Sequence, residues 1–194
     1  ETIRDNFLRL PRIFKVLPTT AVYDFKDFDL KLPKSSAAKI SPPATWQKQK
    51  HFRRLMGPWK KCVHEEALFD SGPELLLAKL LDKSAAVDWW ARNDPPQLRL
   101  PTPAGRYEPD FVVMTKPDPG VVLIGVKGEH LWQDSDVSEA RIKASSASRY
   151  AEAVTAAGQI RVEHLLVLGG DVETCQTLEE VRSAAIKNGS FKLG

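Results

Sequence analysis

The stretch VVLIGVK, residues 121–127, decides the fold that the sequence predicts. Its apolar and mostly β-branched residues are typical of a strand in the middle of a sheet. The strand ends in Lys127, and a glycine follows. A lysine at the exposed end of such a strand is often catalytic and usually has a carboxylate two residues before it, but here that position is Gly125. The stretch therefore leaves open whether Lys127 belongs to a site or only ends a strand.

The segments on either side of this strand predict an α/β fold. Ser71 and Glu74 have the spacing of a capping box and Pro73 falls in the first turn, so a helix is predicted over 73–83. The chain then predicts strands at 86–91, 97–101, 106–114, 121–127 and 164–170, a helix at 137–157 and a closing helix at 177–189. This order predicts a central mixed β-sheet flanked by helices on both faces.

Length and composition predict one domain with an extension. The chain has 194 residues, of which 42% are hydrophobic. Residues 1–46 are predicted to be an N-terminal extension with short strands and a linker rich in proline, serine and lysine, and residues 47–194 to be the compact domain. No apolar run approaches the ~20 residues that a membrane helix needs. With two cysteines and no signal-peptide pattern, a cytoplasmic location is expected.

Positive charge is concentrated in one part of the chain. The net charge is only +3, but no acidic residue occurs between Asp29 and Glu65. Cations interleaved with aromatic rings can neutralise phosphates and stack on bases, whereas the alternative is a solvated loop pinned by its aromatics. Nucleic-acid contacts are predicted at Lys48, Lys50, Arg53, Arg54, Lys60 and Lys61.

Two charged residues lie at the ends of neighbouring predicted strands. Asp110 opens the apolar run at 111–114, and Lys127 closes the next strand. If the two strands form a hairpin, both side chains lie at the same end of the sheet. An aspartate there can bind Mg²⁺ and a lysine can orient an attacking water, as phosphodiester hydrolysis requires. The alternative is a cross-strand ion pair of little energetic weight.

Glu74 is a further carboxylate that is predicted to face inward. The residues three, four and seven positions further along its helix are Leu77, Ala78 and Leu81, so Glu74 lies on the apolar side. If that side faces the strand end at Asp110, Glu74 is a second metal ligand. A role confined to helix capping is the alternative.

Three segments together resemble a known family. SGPELLLAKLLDKSAAVDWWARN, YEPDFVV and LIGVKGE resemble, in this order, the endonuclease domain at the C-terminus of type III restriction enzyme restriction subunits and of related helicase-linked nucleases, in the PD-(D/E)XK superfamily. The resemblance covers about residues 70–150 and implies a restriction-endonuclease-like fold that cleaves double-stranded DNA with Mg²⁺ or Mn²⁺.

The resemblance also implies roles for particular residues and partners. Glu74 and Asp110 match the metal ligands, Lys127 matches the catalytic lysine, and Val126 matches the residue whose backbone carbonyl binds the metal. An N-terminal helicase or ATPase region and a separate modification subunit are the partners that the resemblance implies.

Gly125 stands where the family has its second strand acid, and three interpretations are open. The acid is lost, which leaves a catalytically dead nuclease fold that acts as a DNA-binding or protein-interaction module. Alternatively Glu129 replaces it, because alternation along a strand places it on the face of Lys127. Glu139 is the third choice, since it shares a helix face with Lys143 and with later apolar residues, although these two residues can also form a plain helical salt bridge.

Overall fold

The computed structural model describes residues 42, 44–49, 53–93, 98–129, 139–157 and 160–186. In these residues the helices are α1 (Ala44–Gln49), α2 (Gly72–Lys83), α3 (Glu139–Ala156), α4 (Gly169–Thr174) and α5 (Leu178–Ala184). The strands are β1 (Arg54–Met56), β2 (Ala67–Phe69), β3 (Val87–Arg92), β4 (Leu100–Thr102), β5 (Gly105–Tyr107), β6 (Phe111–Thr115), β7 (Gly120–Lys127) and β8 (Arg161–Leu168). The strands predicted in residues 1–32 lie outside the described residues.

A four-stranded mixed sheet forms the centre of the protein, in the order β3-β6-β7-β8. The β6 and β7 strands form the predicted antiparallel hairpin, with Phe111 opposite Ile124 and Met114 opposite Val121. The β7 and β8 strands are parallel, which requires a crossover, and α3 supplies it. The predicted architecture of a mixed sheet flanked by helices is therefore confirmed, and it is compatible with a restriction-endonuclease-like fold.

Both faces of the sheet are buried, which explains why its strands are continuously apolar. On one face, Phe111, Val113 and Ile124 pack in a cluster with side chains of α2, α4 and α5. On the other, Val112 and Leu123 pack in a cluster with side chains of α3. Successive residues of one strand thus belong to different clusters, as the period of two requires.

Helix α2 begins as predicted, but its capping differs from the prediction. Ser71 is the N-cap and accepts a hydrogen bond from the backbone N of Glu74 at 3.3 Å. The Glu74 carboxylate does not return to Ser71: it accepts from the backbone N of Asp70 at 2.8 Å, because Arg92 binds the same oxygen. A complete capping box occurs instead at the start of α5, between Thr177 and Glu180.

The short hairpin of β4 and β5 borders the sheet on the side of α3. Its turn contains Gly105, whose φ of +93° lies in the region that favours glycine. The hairpin packs against α3 and brings Arg106 and Tyr107 to the end of the sheet where Asp110 lies. This hairpin is therefore the element through which residues outside the sheet reach the candidate site.

Helix α1 crosses the boundary that the sequence predicts at residue 46. Its Trp46 is fully buried and belongs to the same cluster as the apolar side of α2. The division of the chain into 1–46 and 47–194 stays a prediction. None of the helices in the described part of the chain combines the length and the apolar character that are needed to span a membrane.

Candidate active site

A cleft of about 410 Å³ lies where β3 and β7 end and β6 begins. Asp110 and Lys127 both line it, so the sequence prediction that they share one end of the sheet agrees with the geometry. The residues that line the cleft are Arg53, Asp70, Arg92, Asn93, Arg106, Tyr107, Glu108, Pro109, Asp110, Lys127, Ala140 and Lys143. They come from loops, two strands of the central sheet, the β4–β5 hairpin and the start of α3.

Backbone contacts with β7 hold Asp110 in place. The Asp110 backbone N donates to the carbonyl of Ile124 at 2.9 Å, and the Asp110 Oδ2 accepts from the backbone N of Val126 at 2.7 Å. The Asp110 carboxylate is therefore fixed beside Gly125, because Asp110 bonds to the backbone of both residues that flank this glycine. A carboxylate whose position is set by the backbone requires little reorganisation when it binds a ligand.

Asn93 fixes the segment that precedes Asp110. Its side-chain Nδ2 donates to the carbonyls of Leu98 and Pro109, each at 2.9 Å, and its backbone N donates to the carbonyl of Asp110 at 3.0 Å. The sequence pattern does not mark this residue as part of a site. Asparagine directly after a strand is a common turn residue, so the pattern predicts only a local role.

Arg92 joins the two predicted acidic residues and is the main group of the site that was not predicted from the sequence. Its Nη2 donates to Glu74 Oε2 at 2.9 Å, and its Nη1 donates to the backbone carbonyl of Asp110 at 3.0 Å and lies 3.6 Å from Asp110 Oδ1. The guanidinium also lies over the ring of Phe111, 4.9 Å from its centroid. One signal was present: a charge that ends an apolar strand must be paired or exposed.

Glu74 is inward-facing, as predicted, with 7% of its surface exposed. Burial raises the pKa of the Glu74 carboxyl, whereas Arg92 lowers it and Asp110 raises it further. The structure therefore brings Glu74 and Asp110 together on either side of one guanidinium. In this arrangement Glu74 acts as the counterion of Arg92.

The two candidate substitutes for the missing acid are not among the residues that line the cleft. Glu139 is exposed and forms a hydrogen bond with Lys143, which lowers the pKa of the Glu139 carboxyl. Glu129 follows the end of β7, is exposed, and lies against Gly170 of α4. Neither residue lines the cleft, although Lys143 does. The alternation of β7 does not extend to Glu129 because the strand ends at Lys127.

The basic stretch predicted to bind DNA is divided by the structure. Arg53 lines the cleft and donates to Asp70 at 2.9 Å. Lys60 and Lys61 instead place their backbone N atoms 3.0 and 2.8 Å from the carboxylate of Asp82. Asp82 lies about 12 Å beyond Glu74 along the axis of α2. Of the remaining predicted contacts, Arg54 is exposed on β1, Lys48 lies in α1 and Lys50 lies outside the described residues.

The residues beside Asp110 fit one Mg²⁺ ion held by few protein ligands, and they do not fit a centre of three carboxylates. Glu74 Oε2 already accepts hydrogen bonds from Arg92 and from the amide of Asp70. Across the described ranges, no three His, Cys, Asp or Glu side chains form a group that could hold a metal ion. Since Mg²⁺ commonly binds through one or two carboxylates, waters and substrate phosphates, Asp110 and the Val126 carbonyl are the groups that would hold it.

A second hydrogen-bonded group lies behind Gly125. The Tyr107 hydroxyl is 2.7 Å from His164 Nε2, and Ser148 Oγ is 3.0 Å from His164 Nδ1. Both ring nitrogens of His164 are bonded within the protein, and desolvation lowers the pKa of this histidine to about 4. Burial also raises the pKa of the Tyr107 hydroxyl well above its ordinary value. Both groups are therefore neutral near pH 7.

We expect His164 to make the fold sensitive to acid. Its pKa falls from about 6.5 in the unfolded chain to about 4 in the folded chain. The unfolded state then binds more protons between these values, so the stabilising contribution is present above pH 6.5 and is lost as pH falls through 4. In urea unfolding, His164→Gln should show a smaller fall in the free energy of unfolding between pH 7 and pH 4, by up to about 3 kcal/mol. An equal fall in both proteins would contradict this assignment.

Comparisons with known proteins add a family to this geometry. Residues 60–166 match a family model described as an endonuclease domain. No curated protein and no solved structure matches the chain.

Proposed function

The chain belongs to the family of endonuclease domains, and on this premise we propose that it is a metal-dependent domain that hydrolyses phosphodiester bonds in double-stranded DNA. The observation that carries the proposal is the cleft in which Asp110 and Lys127 lie at the ends of adjacent antiparallel strands. Restriction-like endonuclease domains generally use divalent metal ions, which supports Mg²⁺, or Mn²⁺ in its place, as the cofactor.

Each group of the cleft has a definite task in this proposal. A divalent ion bound at Asp110 would acidify a water and screen the charge of the phosphate. Lys127 orients the attacking water and balances negative charge that develops on the phosphate. Arg92 keeps Glu74 and the Asp110 backbone in place through its hydrogen bonds.

The charge of the cleft supports a polyanionic substrate. Its lining contains five cationic side chains and three acidic ones, a formal excess of two positive charges. The cations are Arg53, Arg92, Arg106, Lys127 and Lys143, and the acids are Asp70, Glu108 and Asp110. Such an excess attracts phosphates, and a concave wall of one sign concentrates the field.

A second candidate function is DNA binding without cleavage. It is favoured by Gly125, which supplies no carboxylate, and by Arg92, which already neutralises Glu74. The cationic excess of the cleft serves this function as well as hydrolysis. A module of this kind would hold DNA for another active site.

Nicking of supercoiled plasmid DNA in the presence of Mg²⁺ or Mn²⁺ tests the proposal. Nicking that requires the divalent ion and Asp110 supports the endonuclease. Binding to duplex DNA without nicking under either ion supports the second candidate. A chain that neither nicks nor binds DNA at low salt contradicts both functions.

We expect the cleft, and not the distant end of α2, to contact DNA. Arg106 is exposed on β5 and lines the cleft, so Arg106→Gln should reduce the slope of log K against log salt concentration by about 1. Lys60→Gln is the matched control, because it removes the same charge near Asp82. Fluorescence anisotropy over a salt series measures both slopes. A reduced slope for Lys60→Gln alone would place the contact on the basic stretch instead.

The restriction context is a finer part of the proposal. The resemblance to type III restriction subunits supports an N-terminal helicase or ATPase region and a modification subunit as partners. The expected cytoplasmic location fits such a system, in which the substrate is intracellular DNA.

A further inference from the structure

Gly125 is a position where the protein needs space. The residue lies within the ladder of β7, opposite Leu166 of β8, so an extended backbone conformation is sufficient there. A Cβ atom at this position would lie 2.6 Å from the Tyr107 hydroxyl oxygen and 3.2 Å from Leu166 Cδ1. The first of these distances is far shorter than the roughly 3.5 Å of a favourable contact. The hydroxyl therefore occupies the place of the first side-chain atom at residue 125.

Hydrogen bonds determine which way that hydroxyl points. Ser148 Oγ donates to the carbonyl of Ala144 at 3.2 Å, so its lone pairs accept from His164 Nδ1–H at 3.0 Å. The other nitrogen of the neutral ring, Nε2, then carries no proton and accepts from the Tyr107 hydroxyl at 2.7 Å. The hydroxyl proton is directed to His164, and the oxygen meets Gly125 with its lone pairs.

Gly125 lies beside Asp110, on the neighbouring strand. Asp110 bonds to the backbone of both residues that flank Gly125, through the Ile124 carbonyl and the Val126 N–H. Tyr107 itself lines the cleft. An acidic side chain at residue 125 would therefore emerge next to Asp110, at the point where the Tyr107 hydroxyl now stands.

We propose that the cleft contains a closed ligand position, that is, a place from which a side chain could bind a divalent cation but which another group fills. The Tyr107 hydroxyl fills the place of an acidic side chain at residue 125, and exchanging both Gly125 and Tyr107 opens that position beside Asp110. Gly125 is thus one half of a packed pair whose other half is Tyr107. The bound ion would be a hard cation, Mg²⁺ or Mn²⁺, because the oxygens available to bind it are those of carboxylates and a carbonyl. The inference rests on the proposed function in taking Asp110 as a metal ligand.

A thermal double-mutant cycle tests the packed pair without any reference to activity. Gly125→Ala should lower the melting temperature by roughly 3–10 °C in the native background, since overpacking and the lost Tyr107–His164 hydrogen bond both act. In the Tyr107→Phe background, where the nearest ring atom would be 3.6 Å away, the same change should cost less than half as much. Equal losses in the two backgrounds would overturn the pairing.

Calorimetric titration with Mn²⁺ tests the ligand position itself. The Gly125→Asp/Tyr107→Phe protein should bind Mn²⁺ at least about tenfold more tightly than the native chain, because it adds a second carboxylate beside Asp110. Gly125→Asn/Tyr107→Phe has nearly the same shape without the charge and should show no gain. A gain in both variants, or in neither, would overturn the closed ligand position.

The outcomes also separate this inference from the proposed function. If the double-mutant cycle shows coupling and the affinity for Mn²⁺ increases as expected, while the native chain does not nick DNA, the closed ligand position stands and the second candidate function is favoured. If the native chain nicks DNA but the cycle shows no coupling, the endonuclease stands and the inference fails. A gain that persists after Asp110→Asn would overturn the site shared with Asp110.

Discussion

Asp110→Asn is expected to lower the rate of plasmid nicking with Mg²⁺ by on the order of 10³-fold, since losing several kcal/mol of transition-state stabilisation corresponds to about this factor. In the described part of the chain, Asp110 is the carboxylate of the cleft whose position is set by hydrogen bonds with the backbone of β7. The amide oxygen of asparagine can still accept from Val126, so the fold should be unchanged. Single-turnover nicking assays, with circular dichroism of both proteins, measure the effect.

Glu108→Gln is the matched control for this experiment. Glu108 also lines the cleft, but it is exposed and pairs with Arg99 at 3.0 Å. The Glu108→Gln substitution removes the same charge two residues away from Asp110. It should change the rate less than about threefold, because exposed charge pairs contribute little energy. Equal rates for Asp110→Asn and the native chain would contradict the assigned role of Asp110. If the native chain does not nick, both variants should instead bind DNA slightly more tightly, because each removes a negative charge from the cleft.

Arg92→Met is expected to lower the free energy of unfolding by about 3–5 kcal/mol, the cost of removing one partner of a buried ion pair. The Arg92 side chain is 3% exposed and that of Glu74 is 9% exposed, so Glu74 would be left with an uncompensated buried charge. The carbonyls of Leu68 and Asp110 would each also lose the hydrogen bond that Arg92 donates. Urea unfolding at pH 7 measures the loss.

The control for Arg92 uses the same substitution at the surface. Arg99→Met breaks an exposed pair with Glu108 and should cost less than about 1 kcal/mol. Glu74→Gln/Arg92→Met should recover at least half of the loss, because the buried carboxylate is then absent. If Arg99→Met and Arg92→Met cost the same, the buried pair does not stabilise the fold as described.

The loss in Arg92→Met should also depend on pH in a defined direction. Burial already raises the pKa of Glu74, and the removal of Arg92 raises it further. At pH values between the pKa of Glu74 in the unfolded chain and its pKa in the folded variant, the folded variant binds more protons than the unfolded chain. The stability of the variant therefore increases as pH falls. The difference from the native chain should therefore be smaller at pH 5 than at pH 7, in the same unfolding experiment.

Local patterns in the sequence were sufficient for the elements and for part of the site. Glu74 follows from the spacing of apolar residues along α2, and Asp110 and Lys127 follow from their places at the ends of apolar strands. The hairpin of β6 and β7 then brings the last two together. These features can be read from the chain because each depends on the period of one element and on a short turn.

Partners from distant segments could not be predicted in this way. Glu139 has the helical spacing of an inward residue, yet it lies at the first turn of α3, beyond the part of that face that the sheet covers. The acid-free stretch has the composition of a DNA-binding surface, yet Arg53 and Lys60 are directed to opposite ends of α2. The composition of a stretch does not predict to which part of the fold each of its residues is directed.

The sequence by itself determined an α/β fold whose sheet has Asp110 and Lys127 at one end, because periodicity and strand ends are local properties. Only the tertiary structure decided that Arg92 lies between Glu74 and Asp110, and that Tyr107 fills the space over Gly125. In each case the contact joins segments 15 or more residues apart and depends on which side chain the packed sheet, helices and hairpin leave facing it.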